Sequence, residues 1–484
     1  MNRELKRVSF VVLAMFVTLF VSTSILTVFQ ADTLAADPRN QRVRQDSYLA
    51  QRGAILVAGQ PIAQSVPSDD SYRYQRTYSN GPLYSSVTGF FPINGAPTGI
   101  EGALNEKLSG TSNAQFLDRV NAILTGKNPQ GASVELTIDP VAQQAAYDAL
   151  GDLQGAVVML EPKTGKILAM VSKPDFDPNT LAGHDTTQVE KTYQSLLTAP
   201  GAPLKNRAIA GDLNFPGSTF KPIVFAAALG TGDFTKDSTL PDVATLPLPG
   251  TNSVVHNDNF GTCVGGGEVT ITLALINSCN IPFAELGMKL GTKTIRKQAE
   301  AFGFNQSLKI PMPVTPSSYP DDYNEPQTAL SAFGQASDRA TPLQMAMVTA
   351  GIANGGKVMY PNLVQSIRSA DLETTESFSP TVFNQATSAQ TADTIASVMV
   401  DDVNRGVAGN ARIDGVSVGG KTGTAENGPG QPYTLWFEGF APADNPQYAI
   451  AVVVENGGGH GQSGVGNTVA APIAKKVLEA VLSK

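Results

Sequence analysis

The sequence predicts an α+β fold in three parts: one N-terminal transmembrane helix, a smaller N-terminal α+β domain, and a larger domain that combines an antiparallel sheet with a helical subdomain. The first observation behind this prediction is an uncharged apolar run near the N-terminus. The second is that strand patterns occur at both ends of the larger domain, with helical patterns between them. The third is the length of 484 residues, which exceeds one ordinary domain.

The transmembrane helix is predicted from hydropathy and charge. Arg3, Lys6 and Arg7 precede an uncharged run at residues 8–29. At a helical rise of about 1.5 Å per residue the run spans roughly 33 Å, enough to cross the core of a bilayer. The positive flank predicts a single-pass protein of the cell membrane with a cytoplasmic N-terminus. A cleaved signal peptide is the alternative, because small residues follow the run, but signal h-regions are usually about 7–15 residues long.

Domain boundaries follow from composition. Residues 1–7 form the predicted cytoplasmic tail and residues 8–30 the anchor. Residues 31–130 begin with a polar linker that contains arginines, and they continue with short apolar alternations and turn signals. This pattern predicts a small, loop-rich α+β domain. Residues 131–484 form the larger domain, which carries all the candidate functional residues.

The strands and helices of the larger domain can be assigned from periodicity and capping signals. Residues 134–139 read as a strand, and Asp139 and Pro140 then occupy the N-cap and first position of a helix that stops at Gly151. Two hairpins are predicted, at 155–161 with 166–172 and at 434–441 with 448–456. Further helices are predicted at 219–229, 269–276, 281–303 and 342–354, and an amphipathic helix closes the chain.

The net charge argues against a nucleic-acid partner, and the spacing of the histidines argues against a metal site. The chain carries 34 Lys and Arg against 42 Asp and Glu, a net charge of −8, without a basic stretch, so no nucleic-acid partner is expected. The three histidines, His184, His256 and His460, show no H-E-x-x-H motif, no paired Cys/His spacing and no G-x-S-x-G elbow. Neither a metal nor another cofactor is expected.

The two cysteines of the chain are Cys263 and Cys279. On the outer side of a membrane, an even number of cysteines favours a disulfide. A disulfide across this short loop would contribute about 3 kcal/mol on the chain-entropy model. Two buried free thiols are the alternative.

The first candidate functional motif is Pro-Gly-Ser218-Thr-Phe-Lys221. Residues i and i+3 lie on one face of a helix, so Lys221 can reach the Ser218 hydroxyl. A desolvated lysine close to other cations can lose its proton and activate a serine nucleophile. A Ser-x-x-Lys tetrad is expected roughly once by chance in a chain of this size. Here it occurs once, after Pro-Gly at a predicted helix start.

Two further motifs lie downstream. Ser278-Cys-Asn280 is the only Ser-x-Asn in the chain. Its hydroxyl can relay a proton and its carboxamide can bind an amide, although alone it is more simply interpreted as a helix-capping pair. Lys421-Thr-Gly-Thr follows a predicted strand and offers a cation for a substrate carboxylate. A second Lys-Thr-Gly at 163–165 lies in a hairpin turn upstream of the serine, so order and context distinguish the two copies.

Together, Ser-x-x-Lys, Ser-x-Asn and Lys-Thr-Gly in this order resemble the motif set of penicillin-binding proteins and class A β-lactamases. Further segments resemble class B penicillin-binding proteins, and they include Arg52-Gly-Ala-Ile55, Gly99-Ile-Glu101-Gly102, Asn206-Arg207-Ala208, Thr341-Pro-Leu-Gln344 and Trp436-Phe437. The resemblance covers nearly the whole chain beyond the anchor. In size and in the Ser-Cys-Asn form, it is strongest to the short actinobacterial penicillin-binding protein A enzymes.

The resemblance implies the penicillin-binding/serine β-lactamase-like transpeptidase fold and a peptidoglycan D,D-transpeptidase of cell-wall synthesis, in cell division or cell shape. It assigns catalytic roles to Ser218, Lys221, Ser278, Asn280 and Lys421, and substrate or oxyanion binding to Thr422, Gly423 and Thr424. The oxyanion hole would consist of the Ser218 and Thr424 N–H groups. Stem peptides and β-lactam antibiotics would acylate Ser218. A membrane glycosyltransferase of the SEDS type and other cell-wall or division proteins are the implied protein partners.

Four other functions stay open at this point. A D,D-carboxypeptidase performs the same chemistry with water as acceptor. A β-lactamase shares the motifs but needs a second base for deacylation, and no glutamate can be assigned to that role. A β-lactam receptor would carry a large cytoplasmic effector, whereas about seven residues precede the anchor. A non-enzymatic scaffold would not need three intact motifs.

Overall fold

A computed structural model describes residues 2–30, 34, 50–70, 72–112, 130–211, 213–371 and 373–483. Within these residues the strands are β1 (Ile55–Val57), β2 (Gln60–Pro67), β3 (Tyr74–Tyr78), β4 (Ser133–Leu136), β5 (Gly155–Leu160), β6 (Ile167–Lys173), β7 (Thr239–Asp242), β8 (Thr245–Pro247), β9 (Val254–His256), β10 (Gly267–Thr270), β11 (Leu308–Lys309), β12 (Pro313–Val314), β13 (Lys357–Met359), β14 (Val364–Arg368), β15 (Thr374–Ser377), β16 (Val382–Gln385), β17 (Gly419–Ala425), β18 (Thr434–Ala441) and β19 (Tyr448–Val454). The α-helices are α1 (Asn2–Ser24), α2 (Gly81–Thr88), α3 (Gly99–Ala103), α4 (Asn105–Ser109), α5 (Pro140–Leu150), α6 (Thr186–Thr198), α7 (Lys221–Thr231), α8 (Ile271–Ile276), α9 (Asn280–Leu290), α10 (Thr292–Ala301), α11 (Glu325–Ser331), α12 (Pro342–Ala353), α13 (Ala389–Arg405) and α14 (Gly466–Leu482).

The sheet of the larger domain has the order β17-β18-β19-β5-β6, with every neighbouring pair antiparallel. It combines strands from both ends of this domain, so the sheet predicted from the sequence is confirmed. Helices α5 and α14 pack on one face around Val157, Phe437 and Leu478. Helices α12 and α13 cover the opposite face. Because both faces are covered, the strands are buried along nearly their whole length.

The helical subdomain lies between β6 and β17 in the chain. Its centre is α12, whose sequence is apolar all round and whose residues from Pro342 to Ile352 are buried, as expected for a core helix. The helix predicted at 281–303 is two helices, α9 and α10, because Gly291 adopts a left-handed φ of 74° between them. The helix predicted at 269–276 begins only at Ile271, since the preceding residues pair in β10.

A second sheet joins the N-terminal domain to later parts of the chain. Its order is β15-β14-β4-β1-β2-β3, and β1 pairs with β4 in parallel. The strand predicted at 134–139 is therefore β4, and it belongs to this sheet instead of the sheet of the larger domain. The sheet thus crosses the boundary predicted between residues 130 and 131. Asp139 caps α5, as predicted, by accepting from the N–H groups of Val141 and Ala142.

A buried ion cluster lies inside the N-terminal domain. The Glu101 carboxylate accepts from Arg52 Nε and from Arg76 Nε, each at 2.6 Å. Arg52 also donates to Asn105 Oδ1 at 2.8 Å, and Tyr78 donates its hydroxyl to Glu101 at 3.2 Å. None of the three charged side chains is more than 3% exposed. Two of the segments that carry the family resemblance, around Arg52 and Glu101, therefore meet in this cluster.

The N-terminal helix agrees with the predicted anchor in length and composition. The helix Arg3–Phe29 contains an 18-residue window with a mean hydropathy of 2.4, has no buried residues, and is long enough to cross a membrane. It comprises α1 and the π-helical segment Ile25–Phe29. Most of the polar linker predicted to follow lies outside the described residues.

Candidate active site

Ser218 lies on a 3₁₀ turn, Gly217–Phe220, that runs directly into α7. Two contacts fix the turn. The Gly217 N–H donates to the Gly334 carbonyl at 2.9 Å, and the Trp436 indole donates to the Phe215 carbonyl at 2.9 Å. Gly217 itself has a φ of 56°, which glycine adopts without strain. The serine is thus held at the start of a helix, in a turn supported from both sides.

Lys221 lies at the centre of the cluster and is fully buried. Its Nζ is 3.0 Å from Ser218 Oγ, 2.6 Å from the Ser278 carbonyl oxygen and 2.8 Å from Asn280 Oδ1. Ser278 Oγ lies slightly further away, at 3.3 Å. A neutral amine has two hydrogens and one lone pair. It can therefore donate to the Ser278 carbonyl and to Asn280 while its lone pair accepts the Ser218 hydroxyl proton.

The electrostatic surroundings of Lys221 favour the neutral amine. Burial, followed by the nearby charge of Lys421, lowers the pKa of Lys221 well below its usual range, and the carboxylates of Asp258 and Asp402 oppose this shift only in part. A lysine with a lowered pKa can act as a general base near neutral pH.

The Ser-x-Asn segment is shaped by a strained residue and a cap. Ser278 has a φ of 57°, uncommon for a residue other than glycine, and this conformation directs its carbonyl at Lys221. Asn280 begins α9 and donates through Nδ2 to Asp258 Oδ1 at 2.9 Å. Asn257 Oδ1 accepts from the N–H groups of Asn280 and Ile281 at 3.0 and 3.1 Å, and so caps the helix.

A disulfide connects Cys263 with Cys279, the residue between Ser278 and Asn280. It ties the loop that follows β9 to the Ser-x-Asn segment. The same loop is held by the Asp242 carboxylate, which accepts from three N–H groups, at Cys263, Val264 and Gly266. The wall of the site opposite β17 is therefore fixed by one covalent bond and a set of hydrogen bonds.

The Lys-Thr-Gly-Thr segment lies on β17, the edge strand of the five-stranded sheet. The strand packs directly against the serine turn, because a Cβ added at Gly423 would be 3.0 Å from the Pro216 carbonyl oxygen and 3.1 Å from Thr219 Cγ2. A larger residue at this position would push the turn away from the strand. The Thr424 hydroxyl accepts from the Gly466 N–H at 3.2 Å, at the start of α14.

A cavity of about 450 Å³ opens between β17 and the Ser-x-Asn segment. Its lining includes Ser218, Ser278, Thr422 and Thr424. One cavity is thus lined by residues of all three motifs. It is large enough for the C-terminal end of a peptide. Lys421 is fully buried behind the strand, where its Nζ donates to the Thr422 carbonyl at 3.1 Å and lies 3.5 Å from Asp402 Oδ2.

The structure brings together every residue of the three motifs, and it adds residues that the sequence did not indicate. These residues come from distant parts of the chain. Gly334 supports the serine turn, Asn257 supports Asn280, and Asp402 supports Lys421. The second Lys-Thr-Gly, at 163–165, lies in the turn between β5 and β6, at the sheet edge opposite β17, as the turn interpretation predicts. Among the described residues no group of three or more His, Cys, Asp or Glu side chains is arranged to hold a metal ion.

Replacing Gly334 with alanine is expected to slow acylation of Ser218 by about 10–10²-fold, because displacements of about 1 Å at a reacting group have costs of this size. A Cβ at Gly334 would lie 2.0 Å from the Gly217 carbonyl oxygen, and the φ of Gly334 is 76°. The matched control is Gly232→Ala, with a φ of 80° and nothing within 4 Å. Rates with a fluorescent penicillin should fall for Gly334→Ala alone; equal rates in the two variants would contradict the prediction.

Comparisons with known proteins agree with this geometry. The chain matches the family described as "Penicillin binding protein transpeptidase domain" over residues 155–479, and "Penicillin binding protein A dimerisation domain" over residues 52–134. It is 40% identical to the peptidoglycan D,D-transpeptidase PbpA of Mycolicibacterium smegmatis, over 100% of this chain and 99% of that protein. The ceftriaxone acyl-enzyme complex of penicillin-binding protein A from M. tuberculosis is 38% identical, with a TM-score of 0.87, over 90% of this chain and 100% of that one. The imipenem complex of the same enzyme is similar, with 37% identity, a TM-score of 0.86, and coverage of 90% and 100%.

Proposed function

Because the chain belongs to the class B penicillin-binding proteins, close to the mycobacterial PbpA enzymes, we propose that it is a peptidoglycan D,D-transpeptidase and a covalent target of β-lactam antibiotics. One observation carries the proposal. The buried amine of Lys221 lies 3.0 Å from the Oγ of Ser218, a residue that lines the cavity bounded by the other two motifs. A serine nucleophile with a lysine as its general base is an arrangement that can carry out acyl transfer without a histidine.

In the acylation step, Ser218 Oγ adds to the carbonyl carbon of the penultimate D-Ala and transfers its proton to the neutral Lys221 amine. The N–H groups of Ser218 and Thr424 stabilise the oxyanion, each donor contributing roughly 3–4 kcal/mol. As the tetrahedral intermediate collapses, the C–N bond breaks. The departing amine of the terminal D-Ala takes the proton back from Lys221 through the Ser278 hydroxyl, which lies 3.3 Å from Nζ.

In the second step, an amine of a neighbouring stem peptide attacks the ester carbonyl. Lys221 accepts the proton of that amine and returns one to Ser218 Oγ as the ester bond breaks, so that a new amide forms and the serine is regenerated. Asn280 is assigned to binding of the substrate amide by the family resemblance, and the charge of Lys421 favours binding of the substrate carboxylate. With water as the acceptor, the same steps give a D,D-carboxypeptidase.

β-Lactams acylate Ser218 by the same first step. In a β-lactam the leaving amine is joined to the acyl group through the opened ring, so it stays in the site after the C–N bond breaks and hinders the second nucleophile. A long-lived acyl-enzyme follows from this geometry. The solved relatives in complex with ceftriaxone and imipenem, which are acyl-enzymes, support the proposal.

The experiment that tests the function uses the full chain in detergent and two readouts. A fluorescent penicillin should form a covalent adduct with the wild type and none with Ser218→Ala, because the adduct is an ester of Ser218 Oγ. Two stem peptides, one of them blocked as an acceptor, should then give a cross-linked dimer. Absence of the wild-type adduct would defeat the enzyme proposal, whereas an adduct with hydrolysed monomer as the only peptide product would assign a carboxypeptidase.

The membrane arrangement is part of the proposal. We place residues 1–7 in the cytoplasm and the catalytic domain, 131–484, on the outer side, because the basic flank of the apolar helix is N-terminal. Residues 31–130 then form a non-catalytic domain between the anchor and the enzyme. A SEDS-type glycosyltransferase and other cell-wall or division proteins are the proposed partners, on the strength of the family resemblance alone.

A further inference from the structure

Behind strand β17, on the side away from the cavity, Lys421 meets two buried acidic side chains. Glu438 lies directly opposite Lys421 in the register of β17 and β18. Asp402 approaches from the C-terminal part of α13, and Thr349 approaches from α12. All four side chains belong to residues with no solvent exposure. The Lys421 cation is therefore surrounded by groups whose charges have no solvent to screen them.

Asp402 provides a fixed counter-charge for Lys421. Its Oδ2 lies 3.5 Å from Lys421 Nζ, and its Oδ1 accepts from the Ala408 N–H at 3.0 Å. Burial raises the pKa of Asp402 to about 6, although Lys421 and the backbone donors oppose the shift. Above this pH the aspartate is an anion paired with Lys421.

Glu438 is in a different situation, because its hydrogen bonding suits the protonated acid. Thr349 Oγ1 lies 2.9 Å from Glu438 Oε2 and 3.0 Å from the Met345 carbonyl oxygen. A hydroxyl has one proton to donate. The Glu438 carboxylate therefore has at most one side-chain donor in Thr349, and it shares that donor with the Met345 carbonyl oxygen. The second oxygen, Oε1, is buried and has no hydrogen-bond partner among the described residues, as a neutral acid tolerates better than a carboxylate.

We propose that Asp402 and Glu438 are positioning residues that set the charge around Lys421, with Asp402 as its counter-ion and Glu438 as an acid that is neutral in the most active form of the enzyme. The inference rests on the proposed acyl-transfer function. While Glu438 is neutral, the buried pair of Lys421 and Asp402 has no net charge. When Glu438 ionises, a net negative charge lies behind β17, and it disfavours binding of the substrate carboxylate in the cavity on the other side of the strand.

The groups that face Glu438 define how it responds to pH. Strand β17 contributes Lys421 and α13 contributes Asp402, whereas α12, which supplies Thr349, has no titratable residue. On β19 the neighbour in register is Ala451. Burial raises the pKa of Glu438 to about 8, against the lowering effects of Thr349 and Lys421. Acylation should therefore decline as the pH rises through about 8.

The test compares pH profiles for acylation of the full chain in detergent by a fluorescent penicillin. Glu438→Gln keeps the shape of the side chain but cannot ionise, so the alkaline decline should disappear. The variant should then acylate at least about threefold faster than wild type at high pH, since a nearby buried charge changes affinities by more than that. The matched control is Glu479→Gln on the exposed side of α14, which should keep the wild-type profile.

A second variant distinguishes electrostatic tuning from simple packing. Thr349→Val removes the hydroxyl that stabilises the Glu438 carboxylate, so it should move the alkaline decline to higher pH. A wild-type profile in both Glu438→Gln and Thr349→Val, with only their melting temperatures changed, would overturn the inference. Should Glu438→Gln fail to fold, the shift in Thr349→Val decides the question alone. Failure of the proposed function would look different, because the wild type itself would then form no adduct.

Discussion

Replacing Lys221 with arginine or methionine is expected to slow acylation by a labelled penicillin by about 10²–10⁴-fold, the usual contribution of a general base. Lys221 Nζ lies 3.0 Å from Ser218 Oγ, and its surroundings favour the neutral amine. Arginine stays protonated at any accessible pH, so it cannot accept the serine proton. Methionine preserves an unbranched stem and offers no base.

The measurement is the second-order rate constant of acylation as a function of pH. Because burial and Lys421 lower the pKa of Lys221, the rise of the wild-type rate on the acidic side should be complete well below 10.5, the ordinary value for lysine, and the alkaline decline assigned to Glu438 should follow it. The rise reflects loss of the proton from the base, so it should be absent in both variants. Lys289→Arg, at an exposed position on α9, is the control and should acylate like the wild type. Acylation of Lys221→Met within threefold of wild type would show that another group is the base.

The local part of this site could be predicted from the sequence because it depends on helix geometry alone. Ser218 and Lys221 are three residues apart at the start of a helix, and this spacing brings them together in any helical protein. The position of Asn280 beside them is a tertiary fact, yet the motif order anticipated it through the family resemblance. Thr422 and Thr424 alternate along a strand, so their shared orientation toward the cavity also follows from local geometry.

The supporting residues could not be predicted, since each acts across a long sequence separation. Glu438 faces Lys421 only because β17 and β18 pair in one register, and a shift by one residue would place Phe437 there instead. Asp402 reaches the same lysine from helix α13. Gly334 supports the serine turn through a single hydrogen bond and its lack of a Cβ. No short motif in the sequence encodes such contacts.

The same holds for the fold: elements with a clear local sequence pattern could be predicted, and pairing between distant segments could not. The hairpins and α12 have clear patterns and are confirmed, with small changes of boundary. By contrast, β14 and β15 lie far from the N-terminal domain in sequence, and β15 is exposed at every position, so it has no alternation to detect. These two strands complete the N-terminal sheet through β4. The connection explains why the predicted domain boundary cuts through a sheet.

The largest effect on stability is expected at Glu101, in the buried cluster of the N-terminal domain. Glu101→Gln should reduce the free energy of unfolding of this domain by about 3–5 kcal/mol, because it leaves Arg52 and Arg76 buried together without a counter-charge. Arg76 Nη2 already has no hydrogen-bond partner among the described residues. The cluster therefore has no spare acceptor to compensate for the loss.

Hydrogen exchange is the appropriate measurement, because a chain of several domains in detergent does not unfold in one step. Loss of 3–5 kcal/mol corresponds to exchange more than a hundredfold faster for the amides of β2 and β3, since about 1.4 kcal/mol equals a factor of ten. Glu106→Gln, at an exposed position on the neighbouring α4, is the matched control and should change exchange little. Equal protection in the two variants would mean that the buried arginines find other partners.

In Glu101→Gln, the rate of Ser218 acylation should change much less than the rate of amide hydrogen exchange in β2 and β3. The Glu101 carboxylate accepts hydrogen bonds from Arg52, Arg76 and Tyr78, all within the N-terminal domain. The serine turn is held instead by Gly334 and Trp436, within the larger domain. Penicillin acylation within twofold of wild type, together with lost protection in β2 and β3, would show that the N-terminal domain can open without disturbing the site. A parallel loss of acylation would show that the sheet shared through β4 couples the two domains.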